Sequence, residues 1–524
     1  MKSTTAGTTA VTVRSRAHAA AAVVAAALVA LTGCSTSTSD TTRASSSATP
    51  STIRIADDAI VKTLDPMANA SYEAVQFTYF WGGFLTTYNA GTQGGQPLLA
   101  RSVTESEDRL GWTVALRPGL KFSDGTALTA SDVAATFKRL RGLPGVTDDN
   151  FVGNFFSNLS SVAVAGGDSV VFKFKKPEPD FAKELAMPEM VILPAKGIAK
   201  GNAFWQHPVS AGRFQVESTD FTTGQYAFTG NPYYSGTKPK TKKIVVSGVP
   251  NAATRLAQLK SGQVEYAENL PGNLLSQLNG DLRQDAAAWP GGSLYLLPNF
   301  KNPLLANSKI RQAINLAVDR KQISETALGG KNIGAPLYGI PWNQNGASPN
   351  VRPTARDIAK ATSLLVGTPC ENGCTIPLTA YSDAVWQLPL VAQVVQQQLK
   401  EIGITVNLHQ VPFAQSGEWP KTNWGMFVGW TGFYDDSATY LSGFYLKNAG
   451  GRARSGFDSP EMDSLSDKLA TATKEETPGL VQQANALYAE ELPIIPLTTL
   501  SYVAGSSLPK SVLGNVQAAY ITVP

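Results

Sequence analysis

Two cysteines lie four positions apart in the second half of the 524-residue chain, in the segment Cys370-Glu371-Asn372-Gly373-Cys374. Asn-Gly favours a tight turn and the residues after Cys374 have the pattern of a strand, so the two thiols are expected to lie close together. A disulfide across so short a loop contributes about 0 to 3 kcal/mol of stability. A metal or redox pair is the alternative, although no histidine or third cysteine is nearby in the sequence. We predict a Cys370–Cys374 disulfide and no metal site.

The residue types that carry most enzyme chemistry are sparse in this chain. Its three histidines show no His-x-x-x-His or His-Glu pairing: His18, His207 and His409. A Gly-x-Ser-x-Gly motif and a phosphate-binding Walker loop are both absent from the sequence. Adjacent carboxylates occur in segments where solvation is their ordinary state: Asp57-Asp58, Asp148-Asp149 and Asp435-Asp436. We predict no catalytic residue and no enzyme activity, and the size and aromatic content of the chain favour a binding function.

The first 34 residues have the pattern of a secretory signal that ends at a cysteine. Lys2, Arg14 and Arg16 supply positive charge, an apolar run extends from Ala19 to Leu31, and small residues lead to Cys34. The run is too short to span about 30 Å of hydrocarbon. The ending Leu-Thr-Gly-Cys resembles the bacterial lipobox, in which the cysteine is acylated and becomes the new N-terminus. An ordinary cleaved signal with an incidental cysteine is the alternative.

These features predict a signal peptide over residues 1–33 and a lipid-anchored Cys34. Residues 34–51 are rich in Ser, Thr and Ala and cannot bury enough apolar surface to become ordered, so we predict a flexible tether. Cleavage removes three basic residues from a formal charge of +4, which leaves a nearly neutral protein and no indication of a nucleic-acid partner. The remaining body exceeds the size of one hydrophobic core.

Alternating helix and strand patterns predict an α/β body. Apolar residues recur at helical spacing over Leu388–Ile402, Gly403 suits a left-handed helix end, and Ile404–Leu408 alternates as a strand. Met426–Trp430 has the composition of a further buried strand. The segment Lys309–Leu328 is predicted as one amphipathic helix. This order of helix, glycine, strand, loop and strand is typical of α/β folds.

A third helix has a recognisable start. Thr129 is a suitable N-cap, and Asp132 lies three residues later at the favourable end of the helix dipole. Val133, Phe137 and Leu140 then fall on one face, which predicts a buried helix side.

Two long segments resemble the family 5 solute-binding proteins, which are the peptide- and nickel-binding receptors of ABC importers. One is Trp112–Val133, which contains Leu-Arg-Pro-Gly and Phe-Ser-Asp-Gly-Thr, and the other is Arg311–Arg320, with the sequence Arg-Gln-Ala-Ile-Asn-Leu-Ala-Val-Asp-Arg. Shorter matches follow in the order of the family, and all together cover about residues 52 to 500: Thr63–Pro66, Pro208–Phe214, Asn231–Tyr234 and Leu492–Leu497.

The resemblance implies a two-lobed α/β fold of the periplasmic-binding-protein type (type II, cluster C) with an extra domain. Its three parts would be a discontinuous lobe I, an extra domain with the Trp112 motif, and lobe II: 52–88 with 207–296 and 491–524; 89–206; and 297–490. Ligand is expected between the lobes, enclosed by hinge closure. The implied partners are two membrane permease subunits with a cytoplasmic ATPase. The receptor is expected to be an extracytoplasmic monomer without a cofactor.

Ligands of open α/β lobes bind beyond the carboxyl ends of strands. That rule selects the segment at the end of the Met426 strand as a candidate site: Gly429, Trp430, Thr431, Gly432, Phe433, Asp435 and Asp436. Trp430 either stacks on the ligand or belongs to the core. The resemblance adds the loop Asn69, Ala70 and Ser71, where family members offer backbone groups to the ligand.

One position departs from the dipeptide-binding members of the family. In those members a Gly-Trp-Thr-Gly segment is followed by an aspartate that pairs with the α-ammonium group of the ligand. Here Phe433 occupies that position, and an aromatic ring cannot form the charge-assisted hydrogen bond. Either Asp435 or Asp436 substitutes, or the ligand lacks a cationic amine.

The sequence thus predicts a lipid-anchored, non-enzymatic substrate receptor of an ABC importer that captures peptides by lobe closure. A receptor for another solute, such as an oligosaccharide or a metal chelate, is one alternative. A peptide-sensing lipoprotein without an import function is another, and the sequence does not separate these cases.

Overall fold

The structure is a computed structural model that describes residues 50–67, 72–87, 95–142, 158–178, 181–286, 292–330, 355–382, 387–412, 419–431, 450–469, 471–473, 475–500, 503–509, 516–517 and 520–521. No helix within these ranges has the length and apolar character needed to cross a membrane.

The strands are numbered in chain order. They are β1 (Thr52–Asp57), β2 (Thr86–Thr87), β3 (Gln96–Pro97), β4 (Ala100–Glu105), β5 (Gly111–Leu116), β6 (Leu159–Val164), β7 (Ser169–Phe174), β8 (Phe214–Asp220), β9 (Gln225–Gly230), β10 (Lys243–Gly248), β11 (Tyr266–Ala267), β12 (Arg283–Ala286), β13 (Gly292–Pro298), β14 (Cys374–Tyr381), β15 (Ile404–Val411), β16 (Met426–Thr431), β17 (Ile495–Leu500), β18 (Val503–Ser506), β19 (Val516–Gln517) and β20 (Tyr520–Ile521).

The α-helices are numbered in the same way. They are α1 (Tyr72–Trp81), α2 (Ala130–Arg141), α3 (Phe181–Glu184), α4 (Ala195–Ile198), α5 (Ala252–Ser261), α6 (Gly272–Leu275), α7 (Pro303–Ala306), α8 (Ser308–Ala317), α9 (Arg320–Ala327), α10 (Ile358–Leu365), α11 (Leu388–Lys400), α12 (Gly450–Ser455), α13 (Pro460–Leu469) and α14 (Thr477–Glu491). Short 3₁₀ helices occupy Pro188–Met190, Gly201–Gln206 and Trp419–Lys421.

The first lobe is built on a seven-stranded sheet. Its strand order is β12-β18-β11-β1-β10-β9-β8, and β1 runs parallel to both β10 and β11. Helix α1 covers this sheet with aromatic side chains, because Phe77 packs on Phe228 with ring centroids 5.7 Å apart and on Tyr226 at 4.9 Å. These rings are almost completely buried and form the main apolar core of the lobe.

The second lobe is built on a five-stranded sheet with the order β15-β14-β16-β13-β17. Strand β14 is parallel to β15 and β16, while β13 is antiparallel to β16 and β17. The predicted helix before Gly403 is present as α11, whose Val391, Val395 and Leu399 are fully buried. Gly403 has a φ of 80°, the left-handed conformation expected at the end of this helix.

The helix predicted over Lys309–Leu328 is instead two helices, α8 and α9, so the prediction of one continuous helix was wrong. Asp319 interrupts the run because its side chain accepts a hydrogen bond from the backbone N–H of Gln322 at 2.9 Å and caps α9. The backbone N–H of Asp319 in turn donates to Oε1 of Gln398 at 3.0 Å. A tertiary contact with α11 therefore stabilises a break that the apolar pattern alone does not indicate.

The extra domain contains a four-stranded antiparallel sheet, β4-β5-β7-β6, packed against α2. The predicted start of α2 is confirmed, since Asp132 Oδ2 accepts from the backbone N–H and the hydroxyl of Thr129 at 2.9 and 2.8 Å. Asp132 Oδ1 also accepts from the backbone N–H of Ala195 at 2.9 Å. One carboxylate thus caps the helix and fixes the neighbouring chain segment.

The chain passes between the two larger sheets twice. Strands β12 and β18 pair in the first sheet, while β13 and β17 pair in the second. Residues 292–296 and 495–500 therefore belong to the second sheet, whereas the sequence-based division included them in lobe I. The physical reason is backbone pairing: β13 pairs with β16 over Ser293–Pro298, and β17 pairs with β13 over Ile495–Leu500. The exact domain boundaries otherwise stay a prediction.

Candidate functional site

Two aromatic side chains lie where the parallel strands of the second lobe end: Tyr381 is buried in the lobe and Trp430 is half-buried. Tyr381 is the last residue of β14, and Trp430 is the penultimate residue of β16. Their rings meet edge to face with centroids 5.7 Å apart, and Tyr381 also meets Phe427 at 5.1 Å. This arrangement places a rigid aromatic pair at the carboxyl edge of the sheet, where α/β lobes bind ligands.

The backbone around Trp430 is fixed by Tyr295 of the neighbouring strand β13. The Tyr295 hydroxyl donates to the carbonyl oxygen of Trp430 at 3.3 Å, and a Cβ atom at Gly429 would lie 2.6 Å from the Tyr295 ring. Glycine is therefore required at 429 by close packing. Trp430 is half-buried, and one part of its ring packs on the core of the lobe. The other part is exposed, so the residue has both the core contact and the free surface that the two interpretations require.

Among the site residues predicted from sequence, Gly429, Trp430 and Thr431 lie together at the end of β16. The remaining candidates lie outside the described residues: Cys34, Asn69, Ala70, Ser71, Gly432, Phe433, Asp435 and Asp436. Their functions stay predictions.

The first lobe presents polar side chains at the corresponding edge of its parallel strands. Immediately after β1 and β11, the Asn269 amide donates to Oδ2 of Asp58 at 2.6 Å. The Gln76 amide of α1 donates to Oε1 of the buried Glu268 at 3.3 Å. Two acidic side chains with amide partners, Asp58 and Glu268, thus lie at this edge of the first lobe. The second lobe has aromatic residues at the carboxyl edge of its own parallel strands.

Arg255 of α5 organises this polar edge. Its guanidinium donates to the carbonyl oxygens of Glu268 and Asn269 at 2.9 and 2.8 Å, and to those of Val249 and Pro250 at 2.7 and 2.9 Å. These bonds offset the cost of burying the charge, because each of the three guanidinium nitrogens donates to at least one carbonyl oxygen.

The sequence analysis did not identify this edge. The available signal was the short segment 264–269, in which the apolar residues Tyr266 and Ala267 are followed directly by the polar residues Glu268 and Asn269. Its strand β11 is only two residues long, below the length at which alternation identifies a strand.

Two titratable groups behind this edge are shifted by burial. Burial, followed by the charges of Glu268 and Asp285, raises the pKa of the Tyr266 phenol well above its usual value. Burial also raises the pKa of Asp285 to about 6, against the hydrogen bond that the Tyr266 hydroxyl donates to Asp285 Oδ2 at 3.1 Å. The hydrogen bond joins β11 to β12 across β18, which lies between these two strands in the sheet.

The predicted cysteine pair forms a disulfide in the described part of the chain. Cys370 and Cys374 are joined by a disulfide with their Cα atoms 4.8 Å apart, at the start of β14 and thus at the opposite end of that strand from Tyr381. Within the described ranges, no group of three or more His, Cys, Asp and Glu side chains is arranged to hold a metal ion.

The motif residues recognised in the sequence meet where the extra domain joins the first lobe. Ser210 Oγ accepts from the backbone N–H of Gly83 at 2.9 Å and donates to the carbonyl oxygen of Ile192 at 2.6 Å. Its carbonyl oxygen accepts from the backbone N–H of Ser123 at 2.8 Å. These buried hydrogen bonds attach the Trp112 motif to the lobe, which gives the motif a structural function.

Comparison with known proteins agrees with this architecture. The family model described as bacterial extracellular solute-binding proteins, family 5, middle, matches residues 95–452. The glutathione-binding protein GsiB of Salmonella typhi is 26% identical over 430 residues, which cover 78% of this chain and 81% of that protein.

Two solved structures share the fold. The periplasmic binding protein DppA of Helicobacter pylori, in complex with the peptide STSA, is 21% identical with a TM-score of 0.77, covering 90% of this chain and 96% of its own. NikA of Brucella suis, in complex with Fe(III)-EDTA, is also 21% identical with a TM-score of 0.77, covering 90% and 98%. With the two-lobed fold shared and the family model matched over most of its length, the chain belongs to the family 5 bacterial extracellular solute-binding proteins.

Proposed function

We propose that this protein is the substrate receptor of an ABC importer and that it encloses a peptide between its two lobes without chemical change. The proposal rests on the residues at the carboxyl ends of the parallel strands in the two lobes. Tyr381 and Trp430 lie at these strand ends in the second lobe, and Asp58 and Glu268 follow the corresponding strands in the first lobe. A peptide suits such a site because the exposed part of the Trp430 ring, which packs on the buried Tyr381, contacts a ligand side chain while polar groups bind the main chain.

The family supports a peptide-like solute, since a relative is named for binding glutathione and a solved neighbour is in complex with a peptide. Phe433 stands where dipeptide-binding members have an aspartate, so a simple dipeptide with a free ammonium group is disfavoured in our proposal. The acidic edge of the first lobe supplies negative charge that a cationic group of the ligand could meet instead. Oligosaccharides and metal chelates are the competing solutes.

We further propose that the body is anchored outside the cytoplasmic membrane through a lipid on Cys34 and acts as a monomer. The lipobox-like ending Leu31–Cys34 and the polar segment 34–51 support this arrangement. Permease subunits with a cytoplasmic ATPase would receive the solute. Mass spectrometry of the chain from membranes tests the anchor, because acylated Cys34 adds a diacylglyceryl mass to the N-terminal peptide and the Cys34→Ala variant does not.

Thermal-shift measurements test the solute. The chain from residue 35 onward, which contains the compact unit 47–524, is incubated with a tetrapeptide library, glutathione, nickel–histidine and an oligosaccharide set. We expect a rise in the unfolding temperature with the peptides. A rise with one of the other probes alone would replace the peptide assignment and retain the receptor class.

A matched pair of variants then tests the site. Trp430→Ala is expected to lower peptide affinity at least about tenfold, because it removes the aromatic contact at the strand end. Tyr233→Ala removes a tyrosine that is 43% exposed in the first lobe, away from both edges, and is expected to bind as the wild type does. Equal affinities for the two variants would remove Trp430 from the proposed site.

A further inference from the structure

Arg109 occupies the tip of the hairpin that joins β4 and β5 in the extra domain. Its φ is 58°, a left-handed conformation that is uncommon for a residue with a side chain. Asp108 fixes this loop, since its Oδ1 accepts from the Ser106 hydroxyl at 2.6 Å and from the backbone N–H of Leu110 at 3.0 Å. Glycine or asparagine would meet the backbone requirement with less strain, so the arginine side chain needs a separate explanation.

The Arg109 guanidinium reaches out of the extra domain to the second lobe. Its Nη1 donates to the carbonyl oxygen of Thr471 and its Nη2 to that of Ala472, both at 3.0 Å. These carbonyls follow the C-terminal end of α13, whose Met462 and Leu465 belong to the apolar core of the second lobe. The two bonds are charge-assisted, and the end of a helix favours a cation.

Acidic groups on both sides complete the electrostatics of this contact. Glu105 of the extra domain lies 3.5 Å from Arg109 Nε. On the second lobe, hydrogen bonds from Thr473 lower the pKa of Glu476, and the positive charge of Arg109 lowers it further. Arg109 thus interacts with Glu476 and two carbonyl oxygens of the second lobe as well as with Glu105 of its own hairpin.

The contact links the two lobes because the extra domain is fixed to the first lobe. The buried hydrogen bonds of Ser210 with Ile192 and Ser123 attach the extra domain there. A rotation of the second lobe about the two chain crossings must therefore separate Arg109 from Thr471 and Ala472 or carry the hairpin along.

We propose that the lobe arrangement in this structure is the closed one, and that Arg109 is a positioning residue that stabilises it and raises solute affinity without touching the solute. This inference rests on the proposed function, capture by lobe closure. The link lies outside the candidate site, so its strength sets the ratio of closed to open molecules, and a solute that binds only the closed form gains affinity in proportion.

Distance measurements by single-molecule energy transfer test the link. Val164 in the extra domain and Val366 in the second lobe are 44% and 59% exposed, so Val164→Cys and Val366→Cys provide labelling sites. In the chain from residue 35 onward the other two cysteines are joined in a disulfide and do not react with the dyes. Spectra are recorded without ligand and with the tetrapeptide library.

We expect Arg109→Ala to lower the closed-to-open ratio about tenfold, and Arg109→Lys, which retains the charge but not the planar fork, to lower it less. Arg117→Ala is the matched control, since Arg117 donates to the carbonyl oxygens of Ala100 and Pro97 within the extra domain. It removes a comparable pair of bonds and is expected to leave the ratio unchanged.

An Arg109→Ala ratio equal to that of the wild type in both conditions would overturn the proposal, as would an equal loss in Arg117→Ala, because the effect would then be general destabilisation. If the library fails to shift the wild-type ratio, the peptide assignment is wrong. In that case the closed-to-open ratios of Arg109→Ala and the wild type, both measured without ligand, still test the function of Arg109.

Discussion

The backbones of Gly272 and Gly329 touch. A Cβ atom on either glycine would lie 2.1 Å from the Cα atom of the other, far inside van der Waals contact. Gly272 begins α6, whose Leu275 packs in the first lobe, and Gly329 follows α9, whose Ile323 packs in the second. The two lobes therefore meet at a point where only hydrogen side chains fit.

Gly272→Ala tests this contact as a condition for closure. The φ of Gly272 is not in the positive range, so alanine suits its own helix but collides with Gly329 when the segments meet. We expect solute affinity to fall about tenfold, measured by calorimetry with the tetrapeptide library, because closure must accommodate the extra methyl group.

Gly479→Ala is the control for that experiment, since a Cβ atom there meets no heavy atom within 4 Å. It is expected to leave affinity unchanged and stability equal or slightly higher. Wild-type affinity in Gly272→Ala would show that the lobes hold solute without this contact.

Arg311→Lys is expected to destabilise the second lobe by about 2 to 3 kcal/mol. The Arg311 guanidinium donates to the carbonyl oxygens of Glu491, Leu305 and Ala306 at 2.7 to 3.1 Å and lies 4.4 Å above the Phe300 ring. Lysine cannot reproduce that planar fork. Urea unfolding measures the loss.

The control for Arg311 is Arg54→Lys, in which a half-exposed residue retains its charge opposite Glu265. It should change the unfolding free energy by less than about 1 kcal/mol. A similar cost for both variants would mean that the carbonyl network of Arg311 is not what stabilises the lobe.

Asp285 gives the protein a pH-dependent stability. Burial raises its pKa from 3.8 to about 6, so the folded state binds a proton more tightly than the unfolded state. Between about pH 4 and pH 6 the folded state therefore loses stability as pH rises, and the cost, on the order of 3 kcal/mol, is complete above pH 6.

Asp285→Asn removes this ionisation. We expect the variant to be more stable than the wild type at pH 8 and equal to it below pH 4, measured by thermal unfolding across that range. Asp281→Asn, which changes an exposed carboxylate on the same segment, provides the comparison. A constant difference between Asp285→Asn and the wild type at every pH would contradict the prediction.

Removal of the disulfide should affect stability and leave binding intact. Cys370→Ser with Cys374→Ser opens a very short loop, which the chain-entropy account values at about 2 kcal/mol. The bond lies at the start of β14, while Tyr381 ends the same strand. Peptide affinity by calorimetry is therefore expected to match the wild type, and a loss of affinity would show that the two ends of β14 are coupled.

Features that depend on near neighbours followed from the sequence alone. The start of α2 after Thr129, the left-handed turn at Gly403 that follows α11 and the proximity of Cys370 to Cys374 are set by residues three or four positions apart. The family also followed from local motifs, because Asp124, Gly125 and Asn231 define turns whose geometry only certain residue types adopt.

Contacts between distant segments were decided only by the tertiary structure. Asp58 and Asn269 are 211 positions apart, and Arg109 and Thr471 are 362 positions apart. The break between α8 and α9 depends on Gln398, which is 79 positions from Asp319. A sequence pattern records which face of an element is apolar, but it does not record which element packs against that face. The polar edge of the first lobe and the links between the lobes are therefore products of packing.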